Sequence, residues 1–251
     1  MNLPFYIARR YLFSKKKHNA INIISGISVC GVALATLALV CTLSVFNGFQ
    51  DMVASFFTAF DPELKISIRE GKVFDGQNER IQAIRALPEV AVFTETLEEN
   101  AMVQYKDRQT MAVIKGVEDN FEDLTSIDSI LYGAGDFLLH DSIVDYAVMG
   151  IELVSTLGTG IQFVDPLQIY TPKRNAKVNM ANPSASFNME YLFSPGTVFV
   201  VNQQKYDSRY ILTSLDFVRR MLDYTTEVSA IEIKSWCEHL FRQIKDCIDI
   251  G

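Results

Sequence analysis

The sequence predicts an α+β membrane protein, in which one N-terminal transmembrane helix is followed by a folded domain outside the membrane. Three observations support this class. Residues 21–50 contain no Asp, Glu, Lys or Arg, and an uncharged apolar run of more than about 18 residues is long enough to span a bilayer. The twenty residues before this run carry five basic side chains and no acidic one. After it, short strand and helix patterns alternate to about residue 235.

The distribution of charge predicts the orientation of the helix. All thirty acidic residues lie after Gln50, where eighteen basic residues leave a net charge of −12. Because basic flanks are retained in the cytoplasm, we expect the N-terminus inside and the main domain outside. An acidic domain also disfavours nucleic-acid binding, which needs clustered Lys and Arg.

Residues 1–20 are predicted to lie at the cytoplasmic membrane surface. The stretch 2–13 combines aromatic and aliphatic residues with two arginines, a composition typical of an interfacial amphipathic helix. Basic side chains in this region attract anionic headgroups. The candidate membrane-surface residues are Arg9, Arg10, Lys15, Lys16 and Lys17. The alternative is a topology signal that makes no contacts of its own.

The run 21–50 is interpreted as a retained transmembrane helix. A cleaved signal peptide is the alternative, but its apolar region is usually shorter, and no small-residue cleavage site precedes a polar start here. Small residues recur along the run at steps of three and four, so they form one stripe of a helix. The stripe consists of Ser28, Gly31, Ala35, Ala38 and Thr42. Such stripes let membrane helices approach closely, which favours a partner helix, although small residues are also common in single spans.

The first part of the outer domain reads as a small α/β unit. Residues 64–68 alternate like a strand, and 78–87 form an amphipathic helix that Asn78 caps and Pro88 ends. Further strands are predicted at 90–93, 101–105 and 110–114. Between them, Glu98, Glu99 and Asn100 are interpreted as a solvated loop rather than as the carboxylate pair of a hydrolase.

The second part of the domain contains a long stretch in which the apolar residues show neither helical nor strand periodicity. A helix over 151–157 should end at Gly158. A strand over 167–170 leads into residues 172–191, which show neither the helical nor the strand periodicity. An irregular stretch of this length is usually functional or disordered. Strands are then predicted at 196–201, 210–213 and 228–233, with a helix over 214–223 capped by Ser214.

Catalytic and metal-binding signatures are absent from the sequence. It contains no GxxxxGK[ST], GxSxG or HExxH pattern. His140, Asp141 and Ser142 have the residue types of a triad, but adjacency in the sequence is not triad geometry. The Cys and His residues lack metal-ligand spacing. We therefore predict no catalytic residue, no metal site and no cofactor in this chain.

Residues 7–50, which contain SVFNGF at 44–49, and residues 148–174 resemble the LolC/LolE-type permeases of the wider MacB/FtsX-like group of ABC transporters. In the first stretch, the family has an arginine before an aromatic-Leu pair, which is Arg10-Tyr11-Leu12 here. The family's basic cluster corresponds to residues 15–17, and the end of its first span corresponds to Ser44–Phe49 (SVFNGF). In the second, residues 148–174 resemble the segment in which a strand leads to a short helix ending in Leu-Gly. The resemblance covers most of residues 1–235.

The resemblance implies a domain order. Residues 1–20 would be cytoplasmic, 21–50 the first span and 51–235 a periplasmic MacB-like domain. The porter-like α/β part of that domain would comprise about 61–120 and 208–235, and a β-rich insert about 121–207. Residues 236–251 form an atypical tail. Complete permeases of this type have three further spans, so a truncated or frameshifted gene is the expected origin of this ending.

The resemblance also implies function and partners. The chain would be a permease subunit in the bacterial inner membrane, and a separate cytoplasmic ABC ATPase would hydrolyse the ATP. A second permease subunit would complete a homo- or heterodimer, which would release lipoproteins to a periplasmic lipoprotein carrier. Alternatives are a MacB/FtsX-like permease with other cargo, and a single-span adhesion, sensor or scaffold protein with a periplasmic binding module.

Two sets of site residues follow from the resemblance. A periplasmic hook would bind the carrier through the loop 172–188, with apolar anchors and a polar rim. The candidate hook residues are Pro172, Lys173, Arg174, Val178, Met180 and Pro183. The outer end of the span would line the lipid or cargo cavity with Leu43, Phe46 and Phe49.

Overall fold

The computed structural model describes residues 3, 6, 7, 10, 19–58, 60–174 and 186–235. The chain divides into two compact units, residues 1–54 and 55–251. The unit 1–54 is helical wherever it is described, and the unit 55–251 is built on a mixed β-sheet. The predicted class, one apolar N-terminal helix followed by an α/β domain, is confirmed.

A single long helix accounts for the apolar run. Helix α1 spans Asn19–Thr58, which is 40 residues, and its stretch Ile23–Val53 is long and apolar enough to cross a membrane. At 1.5 Å per residue, these 31 residues extend about 46 Å, against about 30 Å of hydrocarbon. The helix continues past Gln50, the predicted end of the span, and stops at Thr58, before the Asp61-Pro62 pair that disfavours helical backbone.

The unit 55–251, which we call the outer unit after its predicted location, begins with strands and a capped helix. Its first elements are β1 (Leu64–Ser67), β2 (Phe74–Asp75), α2 (Glu79–Arg85), β3 (Val90–Tyr105), β4 (Arg108–Val117) and α3 (Phe121–Leu124). The predicted cap is confirmed, because the Asn78 side chain accepts a hydrogen bond from the Arg80 N–H at 3.0 Å. Ile81 and Ile84 are the buried face of α2.

The remaining elements follow a 3₁₀ turn at Ile127–Ile130. They are β5 (Leu131–Gly133), β6 (Val148–Gly150), α4 (Ile151–Leu157), β7 (Leu167–Pro172), β8 (Phe187–Leu192), β9 (Thr197–Phe199), α5 (Gln204–Asp207), β10 (Tyr210–Ser214), α6 (Leu215–Leu222), β11 (Glu227–Val228) and β12 (Ala230–Ser235). Helix α4 ends at Gly158 with φ 67°, a left-handed conformation that favours glycine. The Ser214 hydroxyl caps α6 by accepting the Phe217 N–H at 3.1 Å.

One ten-stranded sheet organises the outer unit. Its main path has the order β1-β12-β3-β4-β10-β6-β9-β5, while β7 pairs with β3 and β8. Strand β3 is the centre of this arrangement: its first half pairs with β12, its second half with β4, and Met102–Gln104 pair with β7 as well. Strands β2 and β11 form a separate small sheet. Because strands from both proposed parts share one sheet, the division into a porter-like part and an insert stays a prediction.

The prediction of a loop at Glu98–Asn100 is wrong. These residues continue one strand of 16 residues, which replaces the separate strands predicted at 90–93 and 101–105. Three polar residues suggested a turn, but each finds partners within the sheet. The Glu98 carboxylate lies 2.8 Å from Lys65 Nζ. The backbone N–H of Glu98 donates a hydrogen bond to Ser229 Oγ at 2.8 Å. Since the charges are compensated by neighbouring strands, the backbone remains extended.

Three apolar clusters fill the outer unit on both sides of the sheet. The largest includes the helices α4 and α6, with Leu153 and Phe217 fully buried. The second includes Phe60, Phe121 and Phe199. The third packs α2 against β12. Phe60 belongs to the second cluster although it lies in no helix or strand.

Candidate functional site

The hairpin of β7 and β8 carries the predicted hook loop. The two strands pair from Leu167–Leu192 to Pro172–Phe187, and the Lys173 N–H donates to Ser186 O at 2.9 Å. Pro172, Lys173 and Arg174 therefore stand where the hairpin opens into the loop. The remaining hook candidates, Val178, Met180 and Pro183, lie outside the described residues.

Arg174 is held by the body of the domain rather than free at the rim of the loop. Its Nη1 lies 3.2 Å from Glu227 Oε1, and its guanidinium lies 4.9 Å from the centre of the Tyr224 ring. Hydrogen bonds from the Thr225 N–H and neighbouring backbone groups, together with Arg174, lower the pKa of Glu227 to about 2. The carboxylate thus remains charged near neutral pH and fixes one side of the loop base.

A second contact fixes the other side of the hairpin. The Asn188 amide donates to Met221 O at 2.8 Å, which ties β8 to the end of α6. Both ends of the hook loop therefore start from positions that the domain defines.

The outward face of this part of the sheet is uncharged and carries an apolar row, a feature that the sequence patterns did not reveal. Directly opposed residues of antiparallel strands share a face. The pairs Met111–Met102, Met102–Tyr170 and Tyr170–Met189 therefore form one row across β4, β3, β7 and β8. At about 4.8 Å per strand, the row is about 14 Å long. We call this surface the methionine face.

The methionine face continues onto the edge strand β8. Phe187, Met189 and Tyr191 alternate with residues of the opposite face, and each is more than 40% exposed. A second row beside the first consists of amide side chains and one tyrosine: Gln109, Gln104, Gln168 and Tyr191. The opposite face, with Val103 and Ile169, is buried in the largest apolar cluster. Exposed apolar patches of this kind are typical of interaction sites.

The small-residue stripe of α1 is open in this chain. Ser28, Gly31, Ala35, Ala38 and Thr42 are all exposed. A Cβ placed on Gly31 would meet no described atom within 4 Å. The Thr42 hydroxyl donates to Ala38 O at 2.8 Å and the Ser28 hydroxyl to Ile24 O at 3.0 Å. Both hydroxyls are thus satisfied within the helix, which suits an apolar environment.

The remaining candidates on the first unit are exposed where they are described. Leu43, Phe46 and Phe49 follow one another at steps of three along α1 and are 52%, 55% and 61% exposed. Their role in a cavity stays a prediction. Arg10 is helical and exposed, whereas Arg9, Lys15, Lys16 and Lys17 lie outside the described residues.

The polar residues around His140 do not form a catalytic triad. The Asp141 carboxylate accepts the N–H groups of Ile143 and Val144 in a local turn, and His140 Nε2 lies 3.0 Å from Asp119 Oδ1. A polar cavity of about 230 Å³ adjoins them. Among the described residues, no group of three His, Cys, Asp or Glu side chains could hold a metal ion.

Comparison with known proteins identifies the family. The model of the MacB-like periplasmic core domain matches residues 25–167, which is more than half of the chain and includes most of α1. The chain belongs to this MacB-like family. The resemblance inferred from SVFNGF and from residues 148–174 is therefore confirmed at the level of the family.

The curated relatives are lipoprotein-releasing system transmembrane proteins. LolC of Xylella fastidiosa (strain 9a5c) is 30% identical over 125 residues, which is 50% of this chain and 30% of that protein. LolE of Haemophilus influenzae is 28% identical over 130 residues, which is 50% of this chain and 31% of that protein. The MacB-like chain thus matches less than a third of the length of these relatives.

Solved structures of related domains show distant similarity. The extracellular domain of the noncanonic ABC-type transporter YknZ from Gram-positive bacteria has a TM-score of 0.45 and 9% identity, covering 70% of this chain and 80% of that one. The periplasmic region of MacB from Actinobacillus actinomycetemcomitans has a TM-score of 0.43 and 10% identity, covering 69% and 81%.

Proposed function

We propose that this MacB-like chain is a permease subunit of an ABC transporter that releases lipoproteins from the inner membrane toward a periplasmic carrier. One observation carries the proposal: the family match runs without interruption from the apolar helix into the outer domain. A family match to the soluble domain alone would not involve the membrane. The names of the curated relatives support lipoproteins as the cargo.

The partners follow from this role. ATP would be bound and hydrolysed by a separate cytoplasmic ATPase subunit, so this chain would need no cofactor. A second permease subunit, identical or different, would pack on the small-residue stripe of α1, because close helix contact in lipid relies on small side chains. The basic N-terminal segment would remain in the cytoplasm and the acidic domain would lie in the periplasm.

The hook hairpin would bind the carrier. Two observations support this assignment: the base of the loop is fixed by Arg174 and Asn188, and the strands that carry the loop display the uncharged methionine face. Methionine side chains adapt to varied apolar partners. Val178 and Met180 would insert into the carrier as apolar anchors, while Lys173 would contribute to a polar rim.

A crosslinking experiment tests the hook. A photo-reactive amino acid at position 187, beside the loop, should crosslink to a purified periplasmic lipoprotein carrier. The double substitution Val178→Asp and Met180→Asp should abolish the crosslink, since the two proposed apolar anchors would become charged. The matched control is Ile143→Asp, which alters an apolar side chain that is 89% exposed in another loop and should leave the crosslink intact. Undiminished crosslinking by the double variant, with the fold retained, would remove the hook assignment.

A further inference from the structure

The strand β1 lies at one end of the ten-stranded sheet. It pairs with β12 from Leu64–Ile233 to Ser67–Ala230, and among the described strands β12 is its one neighbour. In an antiparallel pair, alternate residues direct their N–H and C=O groups away from the partner strand. Some of the backbone groups of β1 are therefore available to a further strand.

An apolar groove of about 190 Å³ adjoins this free edge. Ile66 of β1 and Ile68, which follows the strand, line one side of the groove, Phe74 of β2 lines another, and Ile81 and Ile84 line the side of α2. Ile84 is fully buried, whereas Ile68 remains 39% exposed. The groove thus offers apolar contacts next to unpaired backbone groups.

Two charged residues also line the groove, and they differ in what they already bind. Asp75 accepts the Gln77 N–H at 3.0 Å. Arg80 lies in the first turn of α2 with an exposed side chain, and its guanidinium forms no ion pair within the part of the chain that the structure describes. The charge that is left to a ligand is therefore positive, which favours an acidic group in the occupant.

The combination of an edge strand and an apolar groove selects an extended peptide as the occupant. An acyl chain could fill the groove, but it would cover the edge of β1 without pairing its backbone groups, and unpaired buried backbone groups are costly. An added strand pairs these groups and directs every second side chain to one face. Its alternate side chains therefore point to the same face as Ile66, into the groove.

We propose that β1 and α2 form a strand-addition site for an extended segment of a partner polypeptide. The segment has aliphatic side chains at alternate positions and an acidic residue beside them. Its backbone pairs with β1, its aliphatic side chains pack against Ile66 and Phe74, and its acidic residue pairs with Arg80. In this mode of recognition, main-chain hydrogen bonds provide affinity and the groove provides specificity. The site lies within the unit 55–251 and does not depend on the proposed function.

A model peptide tests the site in the full chain, held in lipid nanodiscs. The probe is a short fluorescein-labelled peptide in which valine alternates with threonine and one central threonine is replaced by glutamate. Fluorescence anisotropy should show saturable binding. The same peptide with lysine in place of glutamate should bind several-fold more weakly, because its charge would repel Arg80. Absence of saturable binding of the glutamate peptide would overturn the proposal.

Methylation of the peptide backbone separates strand addition from apolar binding alone. One peptide carries N-methyl groups on its valines, and a second carries them on the residues between, so that each loses the N–H donors of one edge. Both keep the side chains of the probe. The peptide methylated on the edge that faces β1 should bind at least about tenfold more weakly than the other, since it loses several hydrogen bonds. Equal affinity of the two peptides would overturn strand addition.

Matched variants of the chain test the two sides of the groove. Arg80→Glu should weaken binding of the glutamate peptide several-fold, while Arg209→Glu, which changes an exposed arginine before β10, should leave it unchanged. Ile68→Asp should also weaken binding several-fold, and its control is Val164→Asp, at a side chain that is 90% exposed in another loop. Equal effects of a variant and its control would contradict the assignment.

Hydrogen exchange locates the bound peptide. Addition of the peptide should slow the exchange of backbone amides in residues 64–68 several-fold and leave β5, at the opposite end of the main path of the sheet, unchanged. Protection of β8 instead would overturn the assignment to β1. Displacement of the peptide by dodecanoate, with equal affinities of the methylated peptides, would assign the groove to an acyl chain. A concentration-dependent dimer that protects residues 64–68 without peptide would assign it to a second copy of the chain. Either result would overturn the proposal.

Discussion

The buried ion pair between Lys115 and Glu232 provides the most demanding test of the described core. Lys115 is 2% exposed and Glu232 is completely buried. The Nζ atom lies 2.7 and 3.0 Å from the two carboxylate oxygens. A second lysine, Lys65, lies 3.7 Å from Glu232 Oε1. Lys115→Met keeps a side chain of similar length beside the aromatic rings but removes its charge.

The expected loss of stability follows from the two opposing contributions of a buried pair. At an effective dielectric constant of about 20, charges 2.7 Å apart attract by about 6 kcal/mol. Burying the two charges costs several kcal/mol each, so the intact pair contributes little net stability. Lys115→Met leaves Glu232 buried with only the more distant Lys65, and removal of one partner costs about 3–5 kcal/mol. We expect the lower end, about 3 kcal/mol.

Urea unfolding of the full chain in detergent micelles, followed by the near-UV circular dichroism of the tyrosines, measures this loss. The double variant Lys115→Met and Glu232→Met should return to within about 1 kcal/mol of the original free energy of unfolding. Lys72→Met is the surface control, because its Nζ pairs with Glu99 at 3.0 Å while 74% exposed, and it should cost less than about 1 kcal/mol. A cost below about 1 kcal/mol for Lys115→Met would refute the assignment of a buried, charged pair.

Two further predictions concern the packing and the pH dependence of the domain. Gly150→Ala should cost about 1–3 kcal/mol in the same unfolding measurement, because its Cβ would lie 2.4 Å from Asp207 O, a backbone atom that cannot move freely. Burial, and then the charge of Glu95, raise the pKa of Glu118, so the folded state favours its protonated form and loses stability as the pH rises through that pKa. Glu118→Gln should therefore be more stable than the original chain at about pH 8, with the difference vanishing near pH 4, around the usual pKa of glutamate. If the gain in stability from Glu118→Gln increased towards low pH, the raised pKa of Glu118 in the folded state would be contradicted.

Local signals in the sequence predicted the helices well. The caps at Asn78 and Ser214 and the stop at Gly158 each depend on neighbouring residues only, and the structure has all three. The apolar run likewise predicted α1, because its length and lack of charge are properties of one continuous segment. Its extension to Thr58 follows from the absence of any helix-breaking residue before Asp61-Pro62.

Long-range pairing determined what the sequence could not reveal. Glu98 was placed in a loop because its partner, Lys65, lies 33 positions away in another strand. Lys115 and Glu232 are 117 positions apart and carry no pattern that relates them. In both pairs, each residue compensates the charge of its partner. If only the neighbouring residues in the sequence are considered, each of these charges suggests a solvent-exposed position. The ion pairs therefore became visible only with the strand order.

The methionine face was missed for a related reason. Met102, Met111 and Met189 lie in three different strands, and each appears as a single apolar residue in its own segment. Only the registers of β3 with β4 and β7, and of β7 with β8, bring them into one row with Tyr170. A signal was present in β8, where Phe187, Met189 and Tyr191 alternate with polar residues, but that stretch was read as part of an irregular loop.

Copurification from membranes tests the central claim, that this MacB-like chain is a transporter permease subunit. The tagged full chain is extracted in a mild detergent, and all bound proteins are identified by mass spectrometry. The proposal predicts recovery of an ABC ATPase, a second permease subunit and lipid-modified proteins, with ATPase activity in the complex. Recovery of the chain alone as a monomer, from membranes in which an ABC ATPase is abundant, would contradict it.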